Sequence, residues 1–146
     1  MAYPVTASQA APRRIAAVPA TTTWAEFPTL WRCLLDQVWA VLRGDPAIRH
    51  GHNIFLYLDA TPRVEIGVEV FGSFQPAGNV VESTVPGGEV ATSTSRGYAE
   101  LGEAHRAVRD WCAGNGRALA GPFWEIYGDP DEATGAVAIE VCYLLA

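Results

Sequence analysis

Ile54-Phe55-Leu56-Tyr57-Leu58-Asp59 and Trp124-Glu125-Ile126-Tyr127-Gly128-Asp129 are two aromatic-rich, apolar segments that each close on an aspartate. Their numbers differ by 70. Three further pairs keep nearly the same spacing. Ala20-Thr21-Thr22-Thr23 resembles Ala91-Thr92-Ser93-Thr94, Phe27 and Leu30 match Tyr98 and Leu101 in type, and Ile66-Gly67-Val68-Glu69-Val70 resembles Val137-Ala138-Ile139-Glu140-Val141; each of these differs by 71. Chance matches would scatter, so the chain reads as an internal duplication.

The first copy reads as strand, helix, strand, strand. Arg14 to Thr23 is β-branched and apolar. Pro28 suits a first helical turn, where its missing N–H costs nothing. Leu30, Leu34, Val38 and Val41 then recur at helical spacing, widened by Trp31, Leu35 and Trp39, until Gly44-Asp45-Pro46 stops the helix. Asn53 to Asp59 and Val64 to Phe71 form a hairpin around residues 60–63. Gly72 to Gly88 joins the halves, with Val80-Val81 as a short extended piece. The second copy repeats the order: a strand at Glu89 to Ser95, a helix at Tyr98 to Ala113, then strands at Phe123 to Tyr127 and Ala136 to Leu145.

Two β-α-β-β units, about residues 13–71 and 88–145, predict an α+β fold. The expected architecture is a pseudo-two-fold antiparallel sheet with two helices on one face. The groove between the helices is then the natural concave site. Residues 1–12, rich in Ala, Pro, Ser and Gln, read as a loose tail before a single domain at 13–146.

Composition excludes several classes. The formal charge is −6 and no basic patch exceeds Arg13-Arg14, so no nucleic-acid partner is expected. No apolar run approaches the ~18 residues of a membrane span, and the N-terminus lacks a signal-peptide layout. A cytoplasmic protein without membrane contact is the expectation. Cys33, Cys112 and Cys142 are odd in number and sit in apolar contexts, which predicts reduced, buried thiols. His50-Gly51-His52 lacks further ligands at metal spacing and reads as loop histidines. No metal site and no cofactor are expected, since nucleotide-binding and nucleophile motifs are also missing.

Glu125 is the strongest chemical signal. An ionised carboxylate in an apolar strand is costly unless it is paired, hydrogen-bonded or exposed. Phe123, Glu125 and Tyr127 share one strand face by two-residue alternation. In the first copy the same position is Phe55, while Tyr57 and Tyr127 correspond. A duplicated scaffold that exchanges a hydrophobe for a carboxylate in one copy points to function in that copy. Glu69 and Glu140 instead match each other and read as solvent-facing strand positions. Trp39 and Trp111, late in their helices, are candidates to line the groove with Phe55, Tyr57, Phe123 and Tyr127. Such rings with a carboxylate suit a flat or cationic ligand. His105 reads as a core histidine on an apolar helix face.

The chain resembles the GyrI-like (gyrase-inhibitor-like) small-molecule-binding domains, which also serve as effector-binding modules of AraC-type and MerR-type multidrug regulators. The resemblance rests on the duplicated order, on Arg96-Gly97-Tyr98-Ala99-Glu100-Leu101, on Trp111 near its helix end, and on Glu125-Ile126-Tyr127-Gly128-Asp129. It covers roughly Arg13 to the C-terminus. It implies an aromatic pocket that binds bulky hydrophobic, often cationic compounds, with Glu125 at the position of the pocket carboxylate. It also implies a second possibility, hydrolysis of cyclopropane-bearing DNA-alkylating toxins. Glu125 would then serve as general base, and Tyr57 or Tyr127 would hydrogen-bond a developing oxyanion. No helix-turn-helix segment precedes the domain, so a direct transcription-factor role is not expected. The final strand lacks the proline that often follows the family's last glutamate.

Overall fold

The computed structural model describes residues 3–146. The element order is β1 (Thr6–Ala10), β2 (Arg13–Thr21), α1 (Phe27–Arg43), β3 (Arg49–Tyr57), β4 (Arg63–Phe71), β5 (Val81–Val85), β6 (Gly88–Ser95), a 3-10 turn (Tyr98–Glu100), α2 (Leu101–Gly114), β7 (Leu119–Pro130) and β8 (Val137–Leu145). The expected β-α-β-β order is therefore present twice, as β2-α1-β3-β4 and β6-α2-β7-β8. Among the described residues the fold is α+β: one antiparallel sheet of eight strands in the order β1-β6-β8-β7-β3-β4-β2-β5, with two α-helices.

The two copies meet at the β3–β7 pair in the middle of the sheet. There Asn53 faces Tyr127, Phe55 faces Glu125, and Tyr57 faces Phe123. Phe55 and Glu125 are thus both repeat equivalents and cross-strand neighbours, so the pseudo-two-fold axis passes between them.

Side chains alternate across this pair. Ile54, Leu56 and Trp124 point into one core with Ile15, Ala17, Val85, Val90 and Cys142, drawn from both ends of the sheet. Phe55, Tyr57, Phe123 and Tyr127 point the other way, toward the helices. The helices do not cover the middle. α1 packs on β2 and β4 through Leu34, Leu35, Val38 and Leu42, and α2 packs on β6 and β8 through Ala104, Val108 and Cys112. Each helix has an amphipathic stripe of the width that one buried face needs. The helix-side surface of β3 and β7 is left as the floor of a groove.

The sheet curls until its ends meet. Only Ala11 and Pro12 separate β1 from β2, yet these strands lie toward opposite ends of the strand order. Thr6 faces Thr92, Ala10 faces Gly88, Arg13 faces Val85 and Ala17 faces Val81. One register therefore runs through both ladders: residues 6–17 and 81–92 are two long bent strands paired along their length. Gly87 sits at their crossing, where a Cβ would lie 2.6 Å from Pro12 Cδ and 3.0 Å from the Ala10 carbonyl oxygen. Only glycine lets the backbones approach so closely.

Several expectations need correction. Residues 6–10, expected in a loose tail, form β1, because β6 has an edge that needs hydrogen-bond partners; Met1 and Ala2 lie outside the described residues. His50 and His52 fall on β3 and not in a loop, and His52 lies 3.3 Å from Asp129. Cys33 is exposed, since Leu34, Leu35 and Val38 take the buried face of α1; Cys112 and Cys142 are buried. The repeat spacing also differs between inner and outer elements. Leu34, Val38 and Leu42 correspond in burial to Ala104, Val108 and Cys112, a difference of 70. In the outer strands Val64, Ile66, Val68 and Val70 correspond to Ile139, Val141, Tyr143 and Leu145, a difference of 75. The longer β7–β8 turn supplies the extra residues. Glu140 is consequently the counterpart of Glu65, not of Glu69, which pairs with Arg13 at 3.0 Å. Among the described residues no helix is long and apolar enough to cross a membrane.

Candidate functional site

Glu125 is 4% exposed, on the floor of the groove, next to the pseudo-two-fold axis. Its carboxylate is fully engaged. Tyr57 and Tyr127 both donate to Oε1, at 2.8 and 2.7 Å. His105 Nε2 lies 2.6 Å from Oε2. Behind the imidazole, His105 Nδ1 is 2.7 Å from the Tyr143 hydroxyl, and Arg109 donates to that hydroxyl at 3.0 Å. A chain of hydrogen bonds thus runs from the rim of α2 through β8 to the floor at β7.

Three donors around one buried carboxylate replace the hydrogen bonds that burial takes from water. Burial, and then the Glu125 charge, push the hydroxyls of Tyr57 and Tyr127 far above the usual phenol range. Both therefore stay protonated donors at every working pH. Burial also raises the Tyr143 hydroxyl, while Arg109 acts against the rise.

Aromatic rings enclose this polar centre. Tyr57, Phe123 and Tyr143 form a continuous stack, with centroids 4.8 Å apart at each step. Phe55 lies 4.8 Å from Tyr127 and 5.6 Å from Trp31. Trp24 lies 5.6 Å from Tyr57. The groove has two lobes that meet at Glu125. One, of about 270 Å³, is mainly apolar and is lined on the α1 side by Phe27, Trp31, Leu35 and Phe55. The other, of about 490 Å³, opens on the α2 side past Trp24, His105, Arg109 and Tyr143. Tyr57, Tyr98 and Leu101 border both.

Of the residues singled out from sequence, Glu125, Phe55, Tyr57, Phe123 and Tyr127 are brought together here. Trp39 and Trp111 are not. Trp39 hydrogen-bonds Asn53 Oδ1 at 3.0 Å and packs edge-on to His50, against the core under α1. Trp111 packs beside Tyr3 and Val5 on the outer flank of α2. Position along the helix put both near the groove; rotation about the helix axis turns them away. Trp24 and Trp31 take that role instead.

His105, Arg109 and Tyr143 were missed. The repeat held a signal for them. In the corrected registers His105 corresponds to Leu35, Tyr143 to Val68, and Glu125 to Phe55, all buried hydrophobes in the first half. The second copy thus replaces three apolar positions with one connected polar set. Leu101, His105 and Arg109 also recur every four residues, a second stripe beside the buried Ala104–Val108–Cys112 face. Among the described residues no group of three or more metal-ligating side chains occurs.

No family model and no curated protein match this sequence. Solved structures do. The C-terminal domain of EcmrR superposes with a TM-score of 0.81 at 16% identity, over 100% of this chain and 99% of that one. SAV2435, described as bound to tetraphenylphosphonium, superposes with a TM-score of 0.72 at 11% identity, over 98% and 94%. A protein of Listeria innocua described as a hydrolase has a TM-score of 0.61 at 9% identity, over 99% and 93%. The chain shares the fold of these proteins, which is the fold that the resemblance to GyrI-like domains implied.

Proposed function

We propose that the chain binds bulky hydrophobic aromatic compounds in the groove between α1 and α2, cationic ones in preference, with Glu125 as the counter-charge. The observation that carries this reading is a buried carboxylate on the floor of an aromatic groove. A desolvated anion ringed by π-faces attracts an organic cation by charge and by cation–π contact, and rejects strongly hydrated ions that cannot shed water. The shared fold with a protein described as bound to tetraphenylphosphonium supports the same ligand class.

Tetraphenylphosphonium and the neutral triphenylphosphine oxide, titrated against tryptophan fluorescence, test it. Trp24 and Trp31 line the groove and serve as reporters. The parent protein binds the cation more tightly. Glu125→Gln loses about 1.5–3 kcal/mol for the cation, the scale of a charge-assisted contact, and little for the neutral compound. Equal cation binding by parent and variant would refute the assignment of Glu125.

A second reading is hydrolysis of a strained-ring toxin, favoured by the two phenol donors fixed beside Glu125. In that reaction Glu125 takes a proton from water as the water oxygen bonds to a ring carbon. The ring C–C bond breaks, and its electron pair moves onto a conjugated carbonyl oxygen that accepts from Tyr57 or Tyr127. Incubation with a cyclopropane-bearing alkylating compound separates the readings. Loss of more than one equivalent by the parent, abolished in Glu125→Gln, means an enzyme; protection that stops at one equivalent means a binder.

A further inference from the structure

One arrangement of protons along Arg109–Tyr143–His105–Glu125 gives the Tyr143 hydroxyl and the His105 ring N–H each an acceptor within the set. An arginine guanidinium carries donors and no acceptor. The Tyr143 oxygen therefore accepts from Arg109. Its own proton then goes to the acceptor at 2.7 Å, His105 Nδ1; a proton on Nδ1 would keep that contact but leave the Tyr143 O–H without an acceptor in the set. Nδ1 is then bare. At the other side of the ring, Nε2 stands 2.6 Å from a carboxylate oxygen, a contact that two lone pairs would not tolerate. Nε2 therefore carries the proton. In that arrangement His105 is neutral, in the Nε2–H tautomer, and donates to Glu125.

The geometry points to Arg109 and Tyr143 as positioning residues that hold His105 neutral and so leave the Glu125 carboxylate without an imidazolium partner, open to a cationic ligand. The inference rests on the binding reading above and deepens it. With a bare Nδ1 unprotected, His105 could take a second proton and pair with Glu125 as an imidazolium. The two charges would then cancel within the protein, and the ligand's cation would lose its partner. Arg109 and Tyr143 oppose this: the nearby guanidinium charge disfavours a second cation, and a proton on Nδ1 would turn the Tyr143 O–H away from its acceptor. The groups that face His105 are Glu125 from β7, Tyr143 from β8 and Arg109 from its own helix; Tyr57 from β3 and Tyr127 from β7 act on it through Glu125.

Two variants test this. Tyr143→Phe removes the hydroxyl and keeps the ring stacked on Phe123. Arg109→Met removes the donor at an exposed helix position and leaves Tyr143 free to rotate, so it guards against a folding failure in the first variant. Nitrogen NMR of histidine-labelled protein reads the tautomer directly, with His50 and His52 as internal references. The parent should show His105 as the Nε2–H tautomer near neutral pH. Both variants should show mixed tautomers or an imidazolium signal as the pH is lowered. In parallel, tetraphenylphosphonium affinity should be flat in the parent between about pH 8 and about pH 6, and should fall about tenfold over that range in the variants.

An Nδ1–H or doubly protonated His105 in the parent overturns the inference. So do variants that keep a single tautomer and a flat binding profile. If the parent binds no tetraphenylphosphonium at any pH, the binding reading fails instead, and the nitrogen spectra still decide the tautomer.

Discussion

Glu125 was legible as a candidate functional residue from its chain neighbours, but its energetics were not. A carboxylate in an apolar strand read as an uncompensated charge would gain stability on neutralisation. With Tyr57, Tyr127 and His105 all donating to it, the sign reverses. In Glu125→Gln the new amide N–H₂ cannot accept from His105 Nε2–H, so one buried donor loses its partner. Thermal or urea unfolding should show a loss of about 1–3 kcal/mol, the cost of such an unsatisfied group. An unchanged or raised midpoint would mean that the three donors do not hold the carboxylate as described.

At the scale of elements, the groove exists because each helix covers its own outer strands and neither reaches the central β3–β7 pair. Helical rotation then decides which rings face the groove. Trp31 and Trp39 lie on one helix, yet Trp31 lines the groove and Trp39 bonds Asn53 and packs against His50. Trp31→Ala should weaken binding of any large aromatic ligand by about 1–2 kcal/mol, charged or neutral, because a stacking wall is lost. Trp39→Ala should lower the unfolding midpoint and leave the affinity of the folded protein nearly unchanged. If Trp39→Ala weakens binding as much as Trp31→Ala, the division between wall and support is wrong.

At the scale of the whole molecule, the two long bent strands close the sheet on the face away from the helices. That closure gives the groove floor a rigid base, since Trp124 and Ile126 point into the closed side while Glu125 points into the groove. The crossing depends on Gly87. Gly87→Ala places a methyl group within 3.0 Å of Pro12 and forces the backbones apart. A destabilisation of about 2–4 kcal/mol by chemical unfolding is expected, larger than an ordinary glycine-to-alanine effect because the backbone, not a side chain, must give way. A change under about 0.5 kcal/mol, the range of a neutral surface substitution, would show that the crossing is loose.

By itself the sequence determined the duplicated β-α-β-β order, the α+β class, and the Phe55–Glu125 correspondence. These rest on periodicity and on short-range chain chemistry, which a single strand or helix carries within itself. The loose N-terminal tail, the even repeat spacing and the grooveward Trp39 and Trp111 were wrong, and for one reason. Each depended on where an element lies relative to partners far away in the chain. β1 is a strand because β6, about 80 residues later, offers it an edge. His105, Arg109 and Tyr143 become one hydrogen-bonded set only when α2 packs over β8 beside β7. Hydrogen bonds act over about 3 Å and are blind to sequence distance, so tertiary structure alone assembled that set.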